Sequence, residues 1–191
     1  MTYKSSTSIE MGFYRNLLWI GLLTLASVVL SGKFACATPF AALATLAALD
    51  VQRRDGLLLV AAVWVANQIV GFMFLNYPHE PQAYAWGVAI GAAAVAAYLG
   101  ARWTLSIVVP FNALFAAVAA FAVGFVAYEA VLLAAGLALS GSGGFSAEIV
   151  QQIATINVVA FAVLLVVHRI AAAVGAIPRN RIEGSSAASA V

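Results

Sequence analysis

The sequence predicts an all-α integral membrane protein of six transmembrane helices, with the N-terminus and the C-terminus both cytoplasmic. Three observations carry that reading. Of the 191 residues, 64% are hydrophobic and 8% charged, and the mean hydropathy is +1.02, whereas soluble domains carry charge at about a quarter of their positions. The apolar stretches are continuous and rich in Ala, Leu, Val and Phe. They lack the alternation of an outer-membrane barrel, so the spanning elements are helices that satisfy their own backbone groups. Finally, the cations sort by side. Six crossings from a cytoplasmic N-terminus put Lys4, Arg15, Arg53, Arg54, Arg102, Arg169, Arg179 and Arg181 inside and only Lys33 outside, as the positive-inside bias requires. A net charge of +2, spread over single or paired basic residues, leaves no stripe to grip nucleic acid.

The segments follow in order. Residues 1–12 are a polar cytoplasmic lead-in, and 13–31 make the first span, with Arg15 and Trp19 as interfacial anchors. That span approaches the roughly 20 residues needed to cross about 30 Å of hydrocarbon. Its basic start, its apolar core and Ala35-Cys36-Ala37 also imitate a secretory signal with a small-residue cleavage site; the expectation here is a retained span. The second span, 34–49 or starting as late as Pro39, is short and mostly alanine, and Pro39 suits the first turn of a helix. A charged turn through Arg53 and Arg54 leads to the third, 57–75. Pro78 and Pro81 close off the next loop, and 83–101 is the fourth, with Gly87 and Gly91 at GxxxG spacing and Arg102-Trp103-Thr104 at its end. A break at Pro110 makes 111–139 a long, tilted fifth span. The turn Ser140-Gly141-Ser142-Gly143-Gly144 precedes the sixth, 147–174. Residues 1–177 are thus a single transmembrane domain, and 178–191 a flexible tail.

Polar groups inside lipid are costly and face other helices or a cavity. Asn67 and Gln68 in the third span, Glu129 in the fifth and Asn157 in the sixth all lie about 13–15 Å below the outer ends of their helices. Either they wall a pocket open to the outside or they are interhelical hydrogen-bond glue. Glu129 favours the first alternative, because it is ionisable and has no cation at its depth. The outer loops add Phe34, Tyr77, His79, Tyr84, Trp86 and Phe145, with Gln151 and Gln152 at the top of the sixth span. These aromatic residues are headgroup anchors or pocket walls.

Cys36 is the sole cysteine, which excludes an internal disulfide and a CxxC redox pair. It is either a small buried hydrophobe or a thiol with its own chemistry. Ser142 sits among glycines, but His168 ends on the opposite side, so no Ser–His pair forms. There is no phosphate loop, no HExxH zinc motif and no array of membrane charges. An autonomous enzyme or ion pump is not expected.

This layout of six helices, both termini inside and an outward polar pocket without an ATP site, resembles the S-components of energy-coupling-factor (ECF) vitamin transporters. Within that group the chain looks like the solitary cobalamin-uptake S-components of Gram-negative bacteria, whose mark is a cysteine that ligates the corrin cobalt. Cys36, in the stretch GKFACATPF, is the residue able to match it. The alanine pair with which many S-components contact their coupling subunit is not evident in Leu17 to Leu30. The resemblance implies a multi-pass protein of the bacterial inner membrane that binds vitamin B12 from the periplasm as its substrate, with no other cofactor. It acts either with the ECF ATPase and coupling subunits or alone. Thiolate is a soft ligand suited to a transition metal with an open axial position. The expected ligand contacts are Cys36 on cobalt, with Phe34, Thr38, Asn67, Gln68, Tyr77, His79, Tyr84, Trp86, Glu129, Phe145, Gln151 and Asn157 around the macrocycle. Two further readings stay open: an S-component for a metal-free vitamin such as thiamine, biotin or riboflavin, and a structural subunit of a membrane complex that uses its alanine and glycine faces for helix contact.

Overall fold

The computed structural model describes residues 38–50, 53–108, 112–139 and 147–173. They form five helices: α1 (Phe40–Asp50), α2 (Arg53–Phe74), α3 (Pro81–Val108), α4 (Ala113–Leu139) and α5 (Ala147–Ala173). No strand occurs among the described residues. Helices α2 to α5 contain segments of 21 to 28 residues that are long and apolar enough to cross a membrane. Each also presents apolar side chains outward, such as Met73 at 72%, Val88 at 64%, Val126 at 66% and Val159 at 58% exposure. An apolar outside around an apolar inside suits lipid as the solvent. The chain is therefore an all-helical, multi-pass membrane protein.

Helix α1 is too short to cross a membrane by itself. Its 11 residues rise only about 16 Å, roughly half the hydrocarbon thickness. Helix begins at Phe40, beside the later of the two expected starts, with Thr38 and Pro39 buried in non-helical backbone just before it. Pro39 lacks an N–H, which suits it to the cap of a helix that starts inside protein. The alanines explain the rest: residues 40–48 are almost wholly buried, because small side chains let neighbours close on every side of the helix. Helix α1 packs against each of the other four. The first expected span, 13–31, lies outside the described residues.

Helix α3 departs from expectation, running on past residue 101 to Val108. Its polar residues find partners along the helix itself. The Arg102 guanidinium lies 6.0 Å from the centre of the Tyr98 ring. Thr104 donates to the Gly100 carbonyl at 2.9 Å and Ser106 to the Trp103 carbonyl at 2.6 Å. Pro110, where a break is expected, lies outside the described residues; Asn112, which is non-helical, precedes α4. Its Oδ1 accepts the Leu114 N–H at 2.8 Å, and its carbonyl accepts that of Ala116 at 2.9 Å, which caps α4.

The most extensive packing joins α3 to α4 along Ala93, Ala94, Ala97 and Ala101 on one side and Ala116, Ala117, Ala120 and Gly124 on the other, all buried. At Gly124 a Cβ would stand 3.0 Å from the Ala97 carbonyl oxygen and 3.4 Å from Thr45 Oγ1, so three helices crowd at that point. Among the described residues, α5 touches α4 only slightly and packs chiefly against α1. Its inward stripe is Asn157, Ala160, Phe161, Leu164 and His168. Phe161 stacks on Phe121 of α4 at 4.3 Å and 8°.

Candidate functional site

A helix leaves its first N–H groups without intrahelical partners, and one that starts inside a membrane protein must find them among its neighbours. The start of α1 does so. Ala42 N–H donates to Asn157 Oδ1 of α5 at 3.3 Å. Phe40 N–H donates to the Thr38 carbonyl at 2.7 Å. Thr38 Oγ1 donates to Asn67 Oδ1 of α2 at 2.5 Å. Asn157 completes its amide by donating to its own helix, at the Ile153 carbonyl, 3.0 Å away. On the α4 side, Phe40 stacks with Tyr128, ring centres 6.5 Å apart. Three helices thus converge on the beginning of a fourth, midway along their lengths. Asn67 and Asn157, on different helices, both accept hydrogen bonds from residues at the start of α1.

Glu129, next to Tyr128 in the chain, has both carboxylate oxygens covered and without a hydrogen-bond partner among the described residues.

Gln68 turns the other way. A Cβ on Gly87 of α3 would run into its amide, and a Cβ on Gly91 would come within 2.8 Å of the Trp64 indole, whose Nε1 donates to the Gly87 carbonyl at 2.8 Å. The GxxxG pair makes the groove in which Trp64 and Gln68 of α2 pack against α3.

Tyr77, His79 and Tyr84 form a second group around Phe72, at the α2–α3 turn. The Tyr84 ring stacks on Phe72 at 5.0 Å, Tyr77 meets it edge-on at 5.9 Å and His79 lies 5.6 Å away. His79 Nδ1 and Tyr84 Oη are 3.0 Å apart. Asn76 adopts a left-handed φ of 52°, a conformation Asn tolerates. It turns the chain so that the Tyr77 ring covers Gly71, where a Cβ would collide with it.

The remaining candidates stand apart. Trp86 is half-buried against the core, whereas Gln151 and Gln152 are exposed on α5. Cys36, Phe34 and Phe145 lie outside the described residues. Sequence reasoning passed over Phe72 and the Phe40–Tyr128 stack. Phe72 carried a usable signal, since it lies at helical spacing from Trp64 and Gln68 and so shares their face. No group of three or more His, Cys, Asp or Glu that could hold a metal ion occurs among the described residues. Comparison of the chain with protein-family models, curated proteins and solved structures finds no match.

Proposed function

We propose that this chain is an uptake protein of the bacterial inner membrane that takes a corrinoid from the periplasmic side and holds its cobalt through the Cys36 thiolate, as a cobalamin-type S-component would. The observation that supports it most is the half-length helix α1. Non-helical backbone at membrane depth is tolerated only where it is buried in protein or lines a cavity, and interrupted helices mark the substrate sites of many transporters. Thr38 and Pro39 are such backbone, both buried, and Cys36 precedes Thr38 by two residues in the sequence. A ligand that meets the thiol therefore lies close in sequence to the start of α1, on which α2, α4 and α5 converge midway along their lengths. In this reading Asn67 and Asn157 hold the ligand-bearing segment in place, while Tyr77, His79 and Tyr84 form an aromatic rim. The chain acts with an ECF ATPase partner or alone.

The test is purification with hydroxocobalamin and the visible spectrum of wild type and Cys36→Ser. The expected result is co-eluting corrinoid whose bands shift in wild type and not in the variant. An absence of bound corrinoid, or identical spectra, sinks the proposal. Binding of thiamine, biotin or riboflavin that is unchanged in Cys36→Ala would point to a metal-free vitamin. Stable copurification with other membrane proteins and no small-molecule binding would point to a structural subunit.

A further inference from the structure

We propose, resting on the uptake reading above, that Glu129 is the proton-binding site of the transport cycle: a membrane-embedded carboxyl that keeps its proton while covered and surrenders it to water when the bundle opens. An unpaired carboxylate inside a membrane protein is strongly disfavoured unless a cation or hydrogen-bond donors compensate it. Neither Glu129 oxygen is accessible, and neither has a donor among the described residues.

The ionisable groups on the helices packed against α4 do not compensate it. On α3 these are Tyr84, Tyr98 and Arg102; Tyr84 pairs with His79, and Arg102 lies over the Tyr98 ring. On α1 there is Asp50, at the end opposite Phe40. On α5 there are Glu148, His168 and Arg169, of which His168 stands eleven residues, about 16 Å of helix, from the Asn157 level. Tyr128, the neighbour on α4 itself, is buried and turned to Phe40. None of these hydrogen-bonds to the Glu129 carboxyl.

The step is a plain proton transfer: the O–H bond of the Glu129 carboxyl breaks, water takes the proton, and the carboxylate recovers a proton from water before it is covered again.

The experiment uses the full chain in liposomes. Dicyclohexylcarbodiimide, which modifies protonated carboxyls in apolar surroundings, is expected to label Glu129 at neutral pH. The label, located by mass spectrometry, is expected to fall at least tenfold as the pH is raised and to vanish in Glu129→Gln. In the same vesicles an inward proton gradient is expected to speed corrinoid accumulation severalfold for wild type and not for Glu129→Gln. No labelling of Glu129, pH-independent labelling, or uptake equally responsive in both proteins would overturn the proposal. Protection by sodium at constant pH and ionic strength would overturn it in favour of a metal cation. The labelling requires no vitamin, so failure of the corrinoid reading and failure of the proton site are separately visible.

Discussion

The seam between α3 and α4 and the start of α1 are both buried, and they are held by opposite means. The seam is made of alanine and glycine, and its stability comes from the closeness with which two helices approach, as lipid offers no hydrophobic drive for helices to associate. The start of α1 is held by hydrogen bonds that Asn67 accepts from the Thr38 hydroxyl and Asn157 from the Ala42 N–H, a backbone donor that would otherwise be stranded away from water. The first region should therefore respond to added volume and the second to lost polar atoms.

The largest effect is expected at Gly124. Its Cβ position is 3.0 Å from a backbone carbonyl that cannot swing aside, so Gly124→Val should cost about 3 kcal/mol, the upper end for overpacking. Thermal unfolding of the purified protein in detergent would read this. Gly100→Ala is the matched control on the same seam. Its nearest neighbour, the Ala127 Cβ, would be an ordinary 3.4 Å away, and the change should be neutral or stabilising by up to about 1 kcal/mol through helix propensity. Equal losses at the two sites would refute the account of the seam.

Asn157→Leu comes next. It keeps the branched shape and the number of heavy atoms but strands the Ala42 N–H, and a loss of about 1–3 kcal/mol is expected. Since α5 packs chiefly against α1 among the described residues, the variant should also expose the α5 end of the chain to limited proteolysis earlier than wild type. Unchanged protection would mean that the Phe121–Phe161 stack suffices to dock α5.

The sequence made the long helices legible because nothing competes with a continuous apolar run: the third, fifth and sixth expected spans fall within a few residues of α2, α4 and α5. The errors arose where a tertiary partner decides the outcome. The length of α1 depends on who can supply hydrogen bonds to Ala42, and no local pattern around Pro39 names Asn157, 115 positions away. Arg102 read as a helix end because its charge suggests an interface, yet Tyr98 one turn earlier accommodates it. Within the candidate site, depth along a helix was legible from counting residues, but direction around it was not. Asn67 and Gln68 are neighbours in the chain, yet one turns to Thr38 and the other to Gly87.

Two smaller changes refine the polar side of the comparison. Thr38→Val removes one hydrogen bond between side chains that have other contacts. A loss of about 0.6 kcal/mol is expected, typical of such bonds in membrane proteins. A cost several times larger would show that Asn67 has no second arrangement and that the segment preceding α1 is rigidly specified.

The smallest effect should come from Tyr84→Phe. The bond that it deletes, to His79 Nδ1, is exposed, and the ring that stacks on Phe72 at 5.0 Å is retained. Water replaces a lost partner at an exposed site, so the expected cost is below about 0.5 kcal/mol, under the usual net value of a hydrogen bond. The midpoint of thermal unfolding should barely move. If Tyr84→Phe instead cost as much as Asn157→Leu, the turn between α2 and α3 would be sealed from water by something packed over it. The division drawn here would then lie between bonded and unbonded sites rather than between buried and exposed ones.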